Sequence, residues 1–174
     1  QYSEMLPNGK KITVYHPRYL SFSAKKIGPL NTYHLTINCQ QAAIMSCLEK
    51  MGEQFDFVYG HFLLDGGLVA AKIARKYQIP AYVAYGECSY ETEVSGRYRE
   101  LYAEDLEGIR GIISVSTKNT EELRMHDCAN GIPILLALNS VDKNIFFPKD
   151  KDASREKLGM PKDAFILGYV GYFI

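Results

Sequence analysis

Apolar residues along the chain form short continuous runs that alternate with longer stretches of helical periodicity. The runs predict buried strands at residues 55–59, 81–85, 111–115 and 134–138. The helices predicted between them lie at residues 34–51, 68–77 and 97–107, and after a cap at Ser116 or Thr117. Continuously apolar strands separated by helices are typical of a parallel sheet covered on both faces. We therefore predict an α/β fold with a three-layer Rossmann-like parallel sheet.

The pattern changes after the last of these strands. Residues 142–163 are rich in charge and contain Pro148 and Pro161, which predicts a solvated connector with one short helix near residues 154–158. Residues 164–174 are again apolar and predict a buried strand. A single strand cannot form a domain, so we expect it to begin a truncated C-terminal domain. The N-terminal domain would span residues 1–141 and lack its first strands.

Composition excludes several classes of protein. The 174 residues include 20 Lys plus Arg and 20 Asp plus Glu, and this zero net charge argues against nucleic-acid binding. The sequence contains no run of about 18 apolar residues, so it predicts no transmembrane helix. A peripheral contact with a membrane is still compatible with the sequence. The four cysteines form no Cys-x-x-Cys pair and fit reduced thiols of a cytoplasmic protein, with two disulfides as the alternative. No spacing predicts a metal or a cofactor.

Polar residues follow each predicted strand, at the edge of a parallel sheet where ligands bind. These residues are Gly60-His61, Tyr85-Gly86-Glu87, Ser116-Thr117 and Asn139-Ser140. If the strands are parallel, all four groups line one edge. The sequence therefore predicts a binding site there.

Each candidate residue also has a purely structural interpretation. His61 could bind sugar hydroxyls or a phosphate, or be an ordinary loop histidine. Gly86 would allow a tight turn or close approach of backbone to a ligand. Glu87 could accept hydrogen bonds from sugar hydroxyls or act as a base, or be an exposed loop acid. Ser116 is either a helix cap or a hydroxyl that contacts substrate.

Three blocks of sequence resemble the family-4 glycosyltransferases, which have two Rossmann-like domains in the GT-B arrangement. The first block is 55–61, followed by Gly67, Ala70, Ala71 and the strand 79–83. The second is 111–116, which ends in Val-Ser as in the family. The third is 138–142 with Phe147-Pro148, followed by Arg155, Lys157, Leu158, Gly159 and 167–171. The resemblance covers roughly residues 55–171.

The chain also departs from the family pattern. It has Tyr85-Gly86 where the family has His-Gly, Asn139-Ser140 where the family has Asn-Gly, and Tyr172 where the family has a donor-binding arginine. The resemblance implies that Gly171 contacts the donor and that His61, Tyr85, Gly86, Glu87 and Ser116 face the acceptor. The remaining donor-binding residues would follow Ile174, so we expect the 174-residue chain alone to be inactive.

The resemblance implies a retaining transferase that moves a sugar from a nucleotide-sugar donor to a glycan or lipid-linked acceptor. An alternative is a nonenzymatic Rossmann-like module that binds a small ligand or another protein, and a third is a sugar-phosphate epimerase of similar build. We also hypothesise a homodimer, because the apolar strand 165–174 needs a partner strand.

Overall fold

The structure is a computed structural model that describes residues 1–22, 25–28, 30–90, 103–126, 129 and 131–171. The chain divides into two compact units, Gln1–Asn139 and Ser140–Ile174, which we call the first and second units. Most of the helix predicted at 97–107 lies outside the described residues. Its last part is a 3₁₀ turn at Ala103–Leu106.

The first unit is built around a four-stranded parallel sheet. Its strands are β5 (Val58–His61), β6 (Ala81–Tyr85), β7 (Ile109–Ser114) and β8 (Ile134–Leu136), in that order across the sheet. The α-helices in the described part of this unit are α1 (Thr32–Met51), α2 (Leu68–Tyr77) and α3 (Thr117–Met125). A parallel sheet flanked by helices confirms the predicted Rossmann-like α/β class.

The core lies against one face of this sheet. Val83, Ile112 and Ile134 are register partners and share that face. They belong to one hydrophobic cluster together with residues of α2 and with Leu123 of α3. Tyr59 and Tyr82 are also register partners, on the opposite face, and are 49% and 39% exposed. Burial of the apolar side chains on the first face is the main force that holds the sheet to its helices.

Two short antiparallel pairs precede the sheet. The first joins β1 (Tyr2–Met5) to β2 (Lys11–Val14), and the second joins β3 (Lys26–Ile27) to β4 (Leu30–Asn31). Every residue of β1 is exposed. A two-stranded hairpin with no packed face is marginally stable in water. The stability of the first unit therefore depends on the sheet of β5 to β8.

The second unit contains one helix, α4 (Lys151–Lys157), among its described residues. Asp150 caps this helix by accepting a hydrogen bond from the Ala153 backbone N–H at 2.8 Å. The short helix predicted near residues 154–158 is therefore present and starts earlier in the chain. None of the helices in the described ranges has the length and apolar content needed to span a bilayer.

The strand predicted from residue 164 onward is wrong for the part that the structure describes. Residues 164–171 form no strand there, and Phe165 and Leu167 are 93% and 87% exposed. Hydrophobicity alone does not make a strand, because its backbone groups need a neighbouring strand to pair with. Whether this segment begins a further domain stays a prediction.

Candidate functional site

A pocket of about 600 Å³ opens at the carboxyl edge of the sheet, and we call it the edge pocket. Four segments of the first unit form it: the chain before β3, the start of α1, the turn after β5 and the loop after β6. Its lining residues are Tyr19, Ser21, Phe22, Tyr33, Thr36, Gln40, Phe62, Leu64, Asp65, Gly86, Glu87 and Cys88. Such a concave site with aromatic walls and a few polar groups is typical of small-ligand binding.

The turn between β5 and α2 forms one wall of the pocket. It is a π-helical turn, Phe62–Gly67, that continues directly into α2. A Cβ atom at Gly60 would lie 2.5 Å from the carbonyl oxygen of Gly66, so glycine allows the strand and the turn to approach this closely. Phe62 adopts a φ of 65°, a left-handed conformation that costs about 1–3 kcal/mol for a non-glycine residue. Strained residues of this kind cluster at binding sites.

Glu87 joins three elements at the pocket. Its carboxylate accepts hydrogen bonds from the backbone N–H of Leu63, at the start of the π-helical turn, and from that of Gly86 at 3.0 Å. Its backbone carbonyl accepts a hydrogen bond from the Asn119 side chain of α3 at 2.8 Å. A negative charge is favourable at the positive end of a helix. Glu87 therefore caps the helical segment from inside the pocket.

Burial dominates the acidity of Glu87. Loss of water around the carboxylate raises its pKa, and the hydrogen bonds from backbone N–H groups only partly oppose this effect. Burial disfavours the charged form of an acid. The pocket therefore holds a carboxyl group that is easier to protonate than an exposed glutamate.

Asp65 and the segment before β3 complete the walls. The Tyr33 hydroxyl of α1 donates a hydrogen bond to Asp65 Oδ1 at 2.6 Å. Thr36, also on α1, is bonded to the backbone of Phe22: the Phe22 N–H donates to Thr36 Oγ1 at 2.8 Å. The Thr36 bond ties the segment before β3 to α1, and Tyr19 and Phe22 of this segment line the pocket.

The predicted site residues divide into two groups. Gly86 and Glu87 line the edge pocket. A side chain at Gly86 would meet Val115, 3.1 Å from the Cβ position, so glycine keeps this part of the wall open. His61 is not among the lining residues. It is exposed, and its ring centroid lies 4.4 Å from that of Phe62.

Tyr85 and Ser116 have structural positions. Tyr85 is fully buried, and its hydroxyl donates to Glu122 of α3 at 3.3 Å. Burial raises the pKa of this phenol, and the nearby carboxylates of Glu122 and Glu87 add to the effect. Ser116 caps α3 by accepting a hydrogen bond from the Asn119 N–H at 3.1 Å, which confirms the capping interpretation. Tyr85 was expected to face a ligand, but an inward position on its strand puts it beneath the carboxyl edge instead.

Two further predicted groups concern the second unit. Asn139 ends the first unit and Ser140 begins the second. Gly171 belongs to the second unit and is exposed there. Its predicted contact with a donor stays a prediction.

Sequence reasoning missed Tyr19, Phe22 and Gln40. The predicted site consists of residues that directly follow a strand, whereas Tyr19 and Phe22 lie in an irregular segment and Gln40 lies on α1. One sequence signal could have found this segment. It contains two aromatic residues, Tyr19 and Phe22, but was predicted to be a loop outside the core, and exposed aromatic residues often mark a binding surface. Among the described residues, no three His, Cys, Asp or Glu side chains are grouped to hold a metal ion.

Comparison with known proteins leaves the family open. No protein-family model matches the chain, and no curated protein matches it. The edge pocket and the sheet that positions it are therefore the features that indicate a function.

Proposed function

We propose that this chain is the acceptor-side part of a nucleotide-sugar-dependent glycosyltransferase and that the edge pocket binds its acceptor. The acceptor would be a glycan or a lipid-linked sugar. The observation that carries the proposal is the composition of this pocket at the carboxyl edge of a parallel sheet. Ligands of open α/β sheets bind at that edge.

The lining residues suit a sugar. Aromatic rings at Tyr19, Phe22 and Phe62 offer apolar faces for the C–H groups of a pyranose ring. Asp65 and Gln40 offer acceptors and donors for hydroxyl groups. In such an enzyme, catalysis is largely a matter of position: the pocket aligns the acceptor hydroxyl, and donor-side groups stabilise the leaving diphosphate.

Titration of the ¹⁵N-labelled chain with neutral trisaccharides tests the proposal. The probes are maltotriose, cellotriose and chitotriose, with a nucleotide sugar such as UDP-glucose for comparison. We expect at least one trisaccharide to shift the amide signals of Leu64, Gly86 and Glu87. The nucleotide sugar should leave them in place, because the lining residues that the structure describes include no Lys, Arg or His to bind a diphosphate.

A matched pair of variants locates the binding. Tyr19→Ala removes an aromatic wall and should weaken trisaccharide binding about tenfold. Tyr59→Ala removes a comparably exposed tyrosine from the open sheet face, outside the edge pocket, and should leave binding unchanged. Absence of any trisaccharide effect on the three amides would contradict the proposal.

A nonenzymatic binding module is the second candidate. The observation that favours it is the row of exposed aromatic side chains on the open sheet face. Phe57 packs edge-on against Tyr82 with ring centroids 6.3 Å apart, and Tyr59 is the register partner of Tyr82. Exposed apolar patches often mark protein contacts. Shifts confined to this face upon addition of a protein partner, with no response to saccharides, would favour the module.

A further inference from the structure

The charges around the edge pocket distinguish between classes of sugar. Asp65 and Glu87 bring two carboxyl groups to its wall, and none of the described lining residues is Lys, Arg or His. Lys118, which is not itself a lining residue, donates from its Nζ to the Cys88 carbonyl oxygen at 3.0 Å. Lys118 also pairs with Glu122 at 3.6 Å, which offsets its charge. The part of the pocket wall that the structure describes is therefore acidic or neutral.

The hydrogen-bonding groups that are left for a ligand also favour a neutral sugar over an anionic one. Both carboxylate oxygens of Glu87 already accept backbone hydrogen bonds. Asp65 Oδ1 is bonded to Tyr33, whereas no described residue donates to Asp65 Oδ2. A free carboxylate oxygen of this kind accepts a hydrogen bond from a neutral hydroxyl and repels another anion.

Gln40 and Ser21 add neutral groups to the same wall. Both line the pocket, and neither makes a side-chain hydrogen bond with another described residue. An amide and a hydroxyl each donate and accept, so they match sugar hydroxyls in either orientation. Recognition of a carboxylate or phosphate instead relies on Arg, Lys or clustered backbone N–H groups. The N–H group of Leu63, at the start of the helical segment, and that of Gly86, directly after β6, both already donate to Glu87.

From this arrangement we propose that the edge pocket takes an uncharged sugar unit of the acceptor and rejects one that carries a carboxylate or phosphate. The inference rests on the proposed function, because it assumes that the pocket binds an acceptor sugar. Asp65 is exposed, so a like charge about 6 Å from it weakens binding about threefold at low salt. Added salt screens this repulsion and reduces the difference in affinity between the neutral and the charged sugar.

Matched neutral and acidic probes test the inference. Each trisaccharide is compared with its derivative oxidised at C6, in which a primary alcohol is replaced by a carboxylate. Titration of the labelled chain is followed at the Leu64 and Gly86 amides. We expect the oxidised form to bind about threefold more weakly at low ionic strength and to recover part of the lost affinity in salt.

Two variants assign the selectivity to Asp65. Asp65→Asn keeps an acceptor for the Tyr33 hydroxyl but removes the charge, so it should shift the affinity ratio toward the oxidised form. Asp56→Asn removes an exposed carboxylate outside the pocket and should leave the ratio unchanged. Equal binding of the two forms to the unmodified chain overturns this inference alone. Failure of every trisaccharide, neutral or oxidised, to reach the pocket overturns the proposed function with it.

Discussion

Glu87 shows how one side chain can organise a site. Its carboxylate accepts hydrogen bonds from the N–H of Leu63, at the start of the helical segment after β5, and from the N–H of Gly86, after β6. Its backbone carbonyl accepts a hydrogen bond from the Asn119 side chain of α3. Two strands and a helix thus meet at one residue. The same contacts leave its carboxylate little capacity to bind a ligand, so Glu87 shapes the edge pocket more than it offers a binding group.

Removal of the Glu87 side chain should destabilise the first unit. Glu87→Ala leaves the backbone N–H groups of Leu63 and Gly86 without an acceptor, which we expect to cost about 1–2 kcal/mol of unfolding free energy. Glu87→Gln keeps one acceptor oxygen and should cost less. Urea unfolding measures both, with Glu53→Gln as an exposed control. Equal stability of Glu87→Ala and the unmodified chain would show that these hydrogen bonds contribute nothing.

The raised pKa of Glu87 predicts a pH dependence of stability. Because burial favours the protonated form in the folded state, the contribution of this group is fully present below its ordinary pKa of 4.5. It is lost as the pH rises through the higher pKa of the folded state. We compare the unfolding free energy of the unmodified chain with that of Glu87→Gln. The difference between them, unmodified minus variant, should decrease as the pH rises above about 4.5. Urea titrations across this range test the sign, and a rising difference would contradict it.

At the scale of elements, the connection from β5 to α2 determines the shape of the pocket. The strand passes into helix without a loop, since the π-helical turn Phe62–Gly67 begins directly after His61. Gly67 continues this close packing toward the sheet, where a Cβ would lie 3.2 Å from Val83. The tight connection turns Phe62 and Asp65 toward the same wall.

Addition of a single methyl group should disrupt this connection. Gly60→Ala places a Cβ within 2.5 Å of the Gly66 carbonyl oxygen, which is backbone and cannot rotate away. We expect a loss of more than about 2 kcal/mol in unfolding free energy and weaker trisaccharide binding. Gly168→Ala is the matched control, because nothing lies within 4 Å of its Cβ position. Native stability of Gly60→Ala would mean that the close approach is not required.

At the scale of the whole molecule, the two units differ in how they use apolar residues. The first unit buries them in a cluster that includes residues of α1, α2, α3 and the sheet. In the second unit, no described residue is classed as buried, and its apolar side chains face solvent. Exposed apolar segments favour association with other surfaces.

The hypothesis of a dimer through the C-terminal segment stays a prediction with a direct test. We expect light scattering over a concentration series to show a dimer, and Leu167→Asp to shift the equilibrium toward monomer because a charge opposes burial of the segment. Leu158→Asp is the control, since Leu158 is 66% exposed but lies outside residues 164–171. A strict monomer at every concentration would rule the hypothesis out.

Local pattern was sufficient to predict several elements closely. The helix predicted over 68–77 and the strand over 81–85 match α2 and β6. Ser116 was a predicted cap, and it caps α3. These features depend on periodicity, propensity and hydrogen bonds within a few residues. Such signals are present in any short window of the chain.

Features that depend on distant residues were not predictable in this way. The irregular segment of Tyr19 and Phe22 becomes part of a pocket only because Thr36 holds it beside α1. Tyr85 points inward into the core, where its hydroxyl donates to Glu122, 37 residues away in the chain. The apolar run after residue 164 lacks a pairing strand among the described residues.

The sequence by itself determined the alternation of strands and helices, the parallel sheet and the edge at which polar residues gather. Only the tertiary structure decided which of those residues face a cavity, which are buried and which cap a helix. The physical reason is that periodicity and capping are local, whereas a pocket depends on the packing of segments that are far apart in the chain. The position of Glu87 after a strand was enough to predict it as a site residue. Its role as a cap depends on the tertiary contact with the Leu63 N–H.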